Sequence, residues 1–238
     1  MKSVVYFFIL YYMFAGLWSC QNETIIPEVN TPEESRVFNY LALGDSYTIG
    51  HGEMQARTFP FLLQEKLRAE NLQFGTDPKV IARTGWTCDE LAAAIAKDST
   101  LKAPYDLVTL LIGVNDQYRG FDIGLYPGRF KKLLDKAIAL AGNKAENVIV
   151  VSIPDYGATP FGKQRNPQKI GNELDAYNAI NKEITLANGA NYVYITDLSR
   201  LADGDDTLLV SDKLHPSGKM YALWVDRIFP VALRVLKP

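Results

Sequence analysis

Five short apolar runs recur along this chain with helical segments between them, and that alternation restricts the fold more than any other feature. Residues 37–43, 79–82, 106–112, 147–153 and 192–196 are rich in Val, Ile, Leu and Tyr, and each has the length of a strand. The clearest, 106–112, is almost wholly apolar, as a strand buried on both faces should be. Between the runs, apolar residues return at helical spacing: Phe59, Leu62, Leu63 and Leu67, then Phe130, Leu133, Leu134, Ala137 and Ile138. Helices are expected over 59–70, 89–97, 129–141 and 167–187, and from about residue 216 to the C-terminus. Thr58 is expected to cap the first, with Pro60 tolerated in its opening turn. Pro230 should kink the last or end it early. Residues 117–128 read as a long loop. Alternating strands and helices predict an α/β fold, a parallel sheet covered on both faces. Right-handed crossovers favour a three-layer α/β/α, flavodoxin-like five-stranded parallel sheet with strand order 2-1-3-4-5.

In such a sheet the carboxyl ends of all strands share one rim, where ligands bind. The rim residues of this chain are polar. The first run ends in Gly44-Asp45-Ser46, the second in a loop containing Gly85, the third in Gly113-Val114-Asn115-Asp116, and the fourth near Tyr156. Asp212 and His215 lie three residues apart just ahead of the last helix. Taken alone, Asp45 and Ser46 are ordinary helix-capping residues. Together with the later clusters they have another use. A serine hydroxyl is a weak nucleophile until a base takes its proton. Histidine does this best near neutral pH, and a carboxylate behind it sets the tautomer and stabilises the imidazolium. Ser46, His215 and Asp212 supply those three roles. The backbone N–H groups of Ser46 and Gly85 and the side-chain amide of Asn115 are suited to form an oxyanion hole.

These blocks resemble the four signature blocks of the SGNH, or GDSL, hydrolases. Gly44-Asp45-Ser46, Gly85, Gly113-x-Asn115-Asp116 and Asp212-x-x-His215 occur in the order of that family. The resemblance runs from about Tyr40 to His215. It implies Ser46 as nucleophile, His215 as base, Asp212 as its orienter, and Gly85 and Asn115 as oxyanion donors. It also implies the same fold and hydrolysis of carboxylic esters without metal or organic cofactor. Tyr47 replaces the Leu of the GDSL name.

Other readings compete. The Gly-x-Ser-x-Gly elbow of α/β-hydrolases is absent, because Thr48 stands where the second glycine would be. His51 is an alternative base, with Glu53 as the nearest carboxylate in sequence. A metallophosphoesterase built on Asp45, Asp116 and Asp212 would want more nitrogen ligands than the two histidines supply. Asp116 is suited instead to tie the rim loops together. Tyr118, Phe121, Tyr126, Tyr156 and Phe161 either pack their loops or wall an acyl or sugar pocket. A surface protein that binds glycan or lipid without turnover would have no need of Ser46, Asn115 and His215 together. The substrate classes that remain are lipid or small-molecule esters, as for a lipase, lysophospholipase or esterase, and acylated glycans, as for a carbohydrate O-acetylesterase.

The N-terminus has a separate purpose. Lys2, an apolar segment to Trp18, then Ser19 and Cys20 describe an export signal over residues 1–19. Leu17-Trp18-Ser19-Cys20 resembles a bacterial lipoprotein signal, which implies lipid attachment at Cys20, a tether over 20–36 and a hydrolase domain over 37–238. The expected location is the cell envelope, with the membrane as partner through the lipid. Cys88, the other cysteine, reads as a buried filler. The net charge of −2 and the lack of a dense Lys/Arg block give no basis for nucleic-acid binding.

Overall fold

The computed structural model describes residues 36–237. The export signal, Cys20 and the tether as far as residue 35 lie outside the described residues. The first apolar run divides into β1 (Val37–Phe38) and β2 (Tyr40–Gly44). The break falls at Asn39, whose N–H donates to Asp106 Oδ2 at 2.9 Å instead of to a strand. β2 leads directly into α1 (Ser46–Ile49), and α2 (Phe59–Ala69) follows. Next come β3 (Gln73–Phe74), which pairs in parallel with β1, and β4 (Lys79–Ala82). α3 (Cys88–Lys97) precedes β5 (Leu107–Leu111). Then follow α4 (Val114–Tyr118), α5 (Tyr126–Leu140) and β6 (Val148–Val151). α6 (Pro160–Lys163), α7 (Pro167–Ala187), β7 (Asn191–Val193), α8 (Thr196–Ser199) and α9 (Gly218–Leu236) complete the chain.

The main sheet is parallel, in the order β4-β2-β5-β6-β7. Counting its strands along the chain, this is the expected 2-1-3-4-5. Every residue of β2, β5 and β6 is buried, whereas the edge strands β4 and β7 are partly open. That difference explains why the central runs are continuously apolar and the edge runs are not. α2 packs on α9, and α3 packs on α5, which packs on α7. Inside, the hydroxyls of Tyr40 and Thr109 hydrogen-bond at 2.9 Å across neighbouring strands, so neither polar atom is left unpaired.

Three local expectations need correction, and a fourth, that Pro230 kinks the last helix or ends it early, loses its second alternative. Residues 117–128 are not one loop: α4 extends to Tyr118 and α5 begins at Tyr126, with a 3-10 turn at Ile123–Leu125 between them. Thr58 occupies the cap position of α2, but its hydroxyl donates to the Gln55 carbonyl at 2.8 Å and caps nothing. The fifth strand ends at Val193, and Thr196 already opens α8. Pro230 does not end α9, which continues to Leu236. Pro230 and Asp226, whose carbonyl the proline ring deprives of a partner, both lie on the exposed face, where water can replace the lost bond.

Candidate active site

Ser46 is the first residue of α1, immediately after β2. The turn is held by Asp45, whose Oδ1 accepts the N–H of Tyr47 at 3.0 Å. Gly44 has to be glycine, since a Cβ there would collide with Thr48 and with the Leu111 carbonyl of the next strand. The N–H of a first helical residue has no acceptor within its own helix. Among the described residues, no backbone hydrogen bond uses the N–H of Ser46 or of Gly85.

The loop carrying Gly85 is clamped by α4 and its end. Asn115 Nδ2 donates to the Trp86 carbonyl at 3.0 Å, and Arg119 donates to the Gly85 carbonyl at 2.5 Å. Asp116 Oδ2 accepts the Cys88 N–H at 3.0 Å, so Asp116 ties the rim loops together as expected. Thr87 and Glu90 close a capping box at the start of α3, and Arg119 also contacts Glu90 at 3.3 Å. Gly85 sits at φ +88, a backbone conformation open to glycine and costly for other residues. Cys88 is fully buried and free, the filler its sequence setting implied.

His215 Nδ1 and Asp212 Oδ2 are 2.6 Å apart. Asp212 Oδ1 accepts the backbone N–H groups of Leu214 and His215, each at 2.9 Å. The carboxylate is therefore fixed from three directions by the loop it belongs to. Burial opposes its ionisation, but these N–H groups and the imidazole outweigh burial and hold it below the usual carboxylate range. His215 is lowered from the ordinary histidine value. Burial is the main cause, Asp212 pulls the other way, and the neighbouring His51 adds to the lowering. The ring is thus neutral near pH 7, with Nε2 free to accept a proton.

Ser46, Gly85, Asn115 and His215 all line one cavity of about 190 Å³. Asp212 stands behind His215. Val114, Leu214, Tyr118, Tyr156 and Phe161 form much of the remaining wall. Of the five loop aromatics, these last three therefore face the cavity. Tyr126 is packed in the core, and Phe121 lies at the surface under the guanidinium of Arg129. Three larger clefts, of about 460, 440 and 440 Å³, lie elsewhere among charged residues such as Arg36, Asp106, Asp155, Arg200 and Lys182, and contain none of Ser46, Gly85, Asn115, Asp212 and His215. His51 does not have a carboxylate behind it. Its Nδ1 meets Thr84 Oγ1 at 3.0 Å, while Glu53 accepts the N–H of Met54 at 2.9 Å and that of Gly218 at 2.5 Å. Asp45 and Asp116 are buried acceptors of backbone N–H groups, which leaves them poorly placed as exposed metal ligands.

The model of the GDSL-like Lipase/Acylhydrolase family matches residues 42–223, a span that includes all five of these residues. The chain belongs to that family. Solved structures share its fold. A lipase from a goat rumen metagenome superposes with a TM-score of 0.66 at 18% identity, covering 84% of this chain and 100% of that one. Axe2, an acetylxylan esterase from Geobacillus stearothermophilus, gives 0.59 at 18% identity over 84% and 94% of the two chains. The lipase/acylhydrolase from Enterococcus faecalis gives 0.59 at 21% identity over 82% and 94%. At such identities the likeness establishes the fold alone. No curated protein sequence matches the chain significantly.

Within this GDSL-like chain, Tyr47 has a definite place. It is buried, with its ring 5.7 Å from that of His215 and 6.2 Å from that of Trp224, and its carbonyl accepts the Tyr221 hydroxyl at 3.0 Å. It braces the histidine loop against α9. Arg119 and Thr84 escaped the sequence reading. Arg119 is one residue beyond α4 and four residues after Asn115, a spacing that brings two side chains to the same side of a turn. That signal is readable only once a helix, and not a loop, is assigned there.

Proposed function

We propose that this GDSL-family protein is a serine esterase that cleaves short-acyl carboxylic esters through an acyl-enzyme on Ser46. One observation carries the reading. Ser46, Gly85, Asn115 and His215, drawn from four separate segments, converge on one cavity, and Asp212 orients the histidine from behind. Ser46 Oγ attacks the ester carbonyl as His215 Nε2 takes its proton, and the Nδ1–H bond to Asp212 stabilises the resulting imidazolium. The tetrahedral oxyanion is held by the N–H groups of Ser46 and Gly85 and by the amide of Asn115. One N–H of that amide already donates to Trp86 and so fixes the direction of the other. His215 then protonates the leaving alcohol. A water molecule, deprotonated by the same nitrogen, releases the acid and restores the hydroxyl of Ser46.

The acyl preference rests on volume. At about 190 Å³ the cavity is smaller than the roughly 300–1,000 Å³ of pockets that enclose drug-sized ligands. Acetyl to butyryl groups fit this space, whereas a palmitoyl chain would run out into solvent. Wild-type protein should hydrolyse p-nitrophenyl acetate and butyrate far better than the palmitate, and a fluorophosphonate probe should label it but not Ser46→Ala. Equal labelling of both proteins would remove Ser46 as nucleophile, and a preference for palmitate would overturn the acyl assignment.

The same small cavity favours acetyl groups on carbohydrate as natural substrate, and one structural neighbour is an acetylxylan esterase. Acetate release from acetylated xylan, compared with fatty-acid release from lysophospholipid, separates these substrates. Anchoring in the cell envelope is supported by Leu17-Trp18-Ser19-Cys20. No helix among the described residues is long and apolar enough to cross a membrane. Cys20→Ser should release the protein from the membrane fraction, and retention there would favour an uncleaved N-terminal anchor.

A further inference from the structure

A second imidazole stands beside the candidate base and is outside the serine–histidine–aspartate set. His51 lies on the turn between Gly50 and Gly52. Its ring centroid is 4.7 Å from that of His215, with the planes inclined by 50°. Since Nδ1 of His51 is engaged by the hydroxyl of Thr84 at 3.0 Å, Nε2 is the nitrogen left for another partner. Asp212 completes the group. One donor atom each from His51, Asp212 and His215 lies within 4.8 Å of the other two.

We propose that these three side chains form a zinc-binding site that switches the esterase off. Two imidazoles and a carboxylate form a donor set typical of Zn²⁺, whereas Mg²⁺ and Ca²⁺ prefer all-oxygen shells. Zn–N distances of about 2.0–2.1 Å in a tetrahedral shell place neighbouring donors about 3.3 Å apart. Closing the set from its present spacing, within 4.8 Å, takes donor shifts on the order of 1 Å. His51 and Asp212 are solvent-exposed, so the ion has access. An ion shared by the His215 imidazole and Asp212 sits on the Nδ1 side, where it displaces the Nδ1 proton. The neutral ring then carries its proton on Nε2 and has no electron pair there to accept the serine proton. A fourth position remains for water. The inhibitory consequence rests on His215 being the base, but the binding of the ion does not.

Calorimetric titration of the Ser46→Ala protein with zinc chloride tests the site without reference to catalysis. One ion should bind with low-micromolar affinity, magnesium should not compete, and His51→Gln in the same background should weaken binding about tenfold or more. Absence of binding, or binding that survives the loss of His51, overturns the proposal. His51→Ala repeats the measurement in case glutamine distorts the turn. In wild-type protein, zinc should inhibit p-nitrophenyl acetate hydrolysis and EDTA should reverse the inhibition. Relative to its own zinc-free rate, His51→Gln should lose sensitivity to zinc about tenfold or more. Equal inhibition of both proteins also overturns the site. Zinc binding that depends on His51 in a protein without esterase activity would instead overturn the functional reading and leave the site standing.

Discussion

Arg119 donates a 2.5 Å hydrogen bond to the carbonyl of Gly85, next to the Trp86 carbonyl that Asn115 engages. Two side chains four residues apart thus hold two consecutive peptides of the loop that carries Gly85 to the cavity wall. Glu90 steadies the guanidinium from the first turn of α3. The loop is also held on its other side, where the Thr84 hydroxyl meets His51. Oxyanion stabilisation depends on donors fixed before the reaction starts, and in the proposed mechanism this clamped loop supplies one of them.

Arg119→Ala should therefore lower kcat with little effect on KM. The loss should be roughly tenfold to a hundredfold, below the ~10²–10³ seen when an oxyanion donor itself is removed. Arg119→Lys should restore part of it, since an ammonium reaches one carbonyl but cannot bridge to Glu90 in the same plane. Steady-state kinetics on p-nitrophenyl acetate decide the matter. An unchanged kcat, or a rise in KM that accounts for the whole loss, would show that the clamp does not set the donor.

Asn115 anchors Trp86, and the proposed mechanism gives it a second task as an oxyanion donor. Asn115→Ala should lower kcat by ~10²–10³ with KM nearly unchanged. A loss smaller than that of Arg119→Ala would remove Asn115 from the oxyanion hole.

For the dyad, His215→Ala should be more damaging than Asp212→Ala, because buried His215 keeps some orientation from its packing against Tyr47. The base works only when neutral. Since His215 is lowered from its ordinary value, mainly by burial, kcat/KM should fall with acid only below about pH 6.5 and be level at neutral pH. A midpoint above that value would contradict the burial argument, and NMR titration of the His215 ring checks the assignment to this residue.

Asp45 makes a stability prediction. It is fully buried, and Oδ2 has no hydrogen-bond partner among the described residues. Desolvation is the main cause that pushes its carboxyl up to about 8, with the charge of Asp116 adding to it. The unfolded chain releases this proton at the ordinary carboxylate value, whereas the folded protein keeps it to a much higher pH. The group's contribution is thus fully present in acid and is lost as pH rises toward 8, by up to about 1.4 kcal/mol for each pH unit. Asp45→Asn keeps an acceptor for Tyr47 N–H and cannot ionise. Its stability relative to wild type should therefore increase between pH 5 and pH 8, as read from urea denaturation midpoints. A pH-independent difference would show that Asp45 is charged in the fold.

Much of this architecture is legible in the chain itself. Buried strands such as 107–111 have no polar face, so their apolar runs are continuous and their positions are readable. Strand order then follows from the handedness of crossovers, and every strand-end cluster is assigned to one rim before any coordinate is known. Ser46, Gly85, Asn115 and His215 are identifiable in this way because each is a chemically distinctive residue at a strand end or before a helix. Asp212 and His215 are close in sequence, so their 2.6 Å contact needs little beyond a tight turn.

Tertiary structure alone decided the contacts made by residues without a local signal. Tyr118, Tyr156 and Phe161 have the same side chains as loop aromatics that merely pack, and only the meeting of three segments brings them to one cavity wall. Arg119 and Gly85 are distant in sequence, and nothing near either residue reveals the bond between them. The same holds for His51, whose ring lies against that of His215 only because β2 and the loop before α9 end on the same rim. Periodicity reports which face of an element is buried, whereas the partner across a crevice depends on how the elements are assembled.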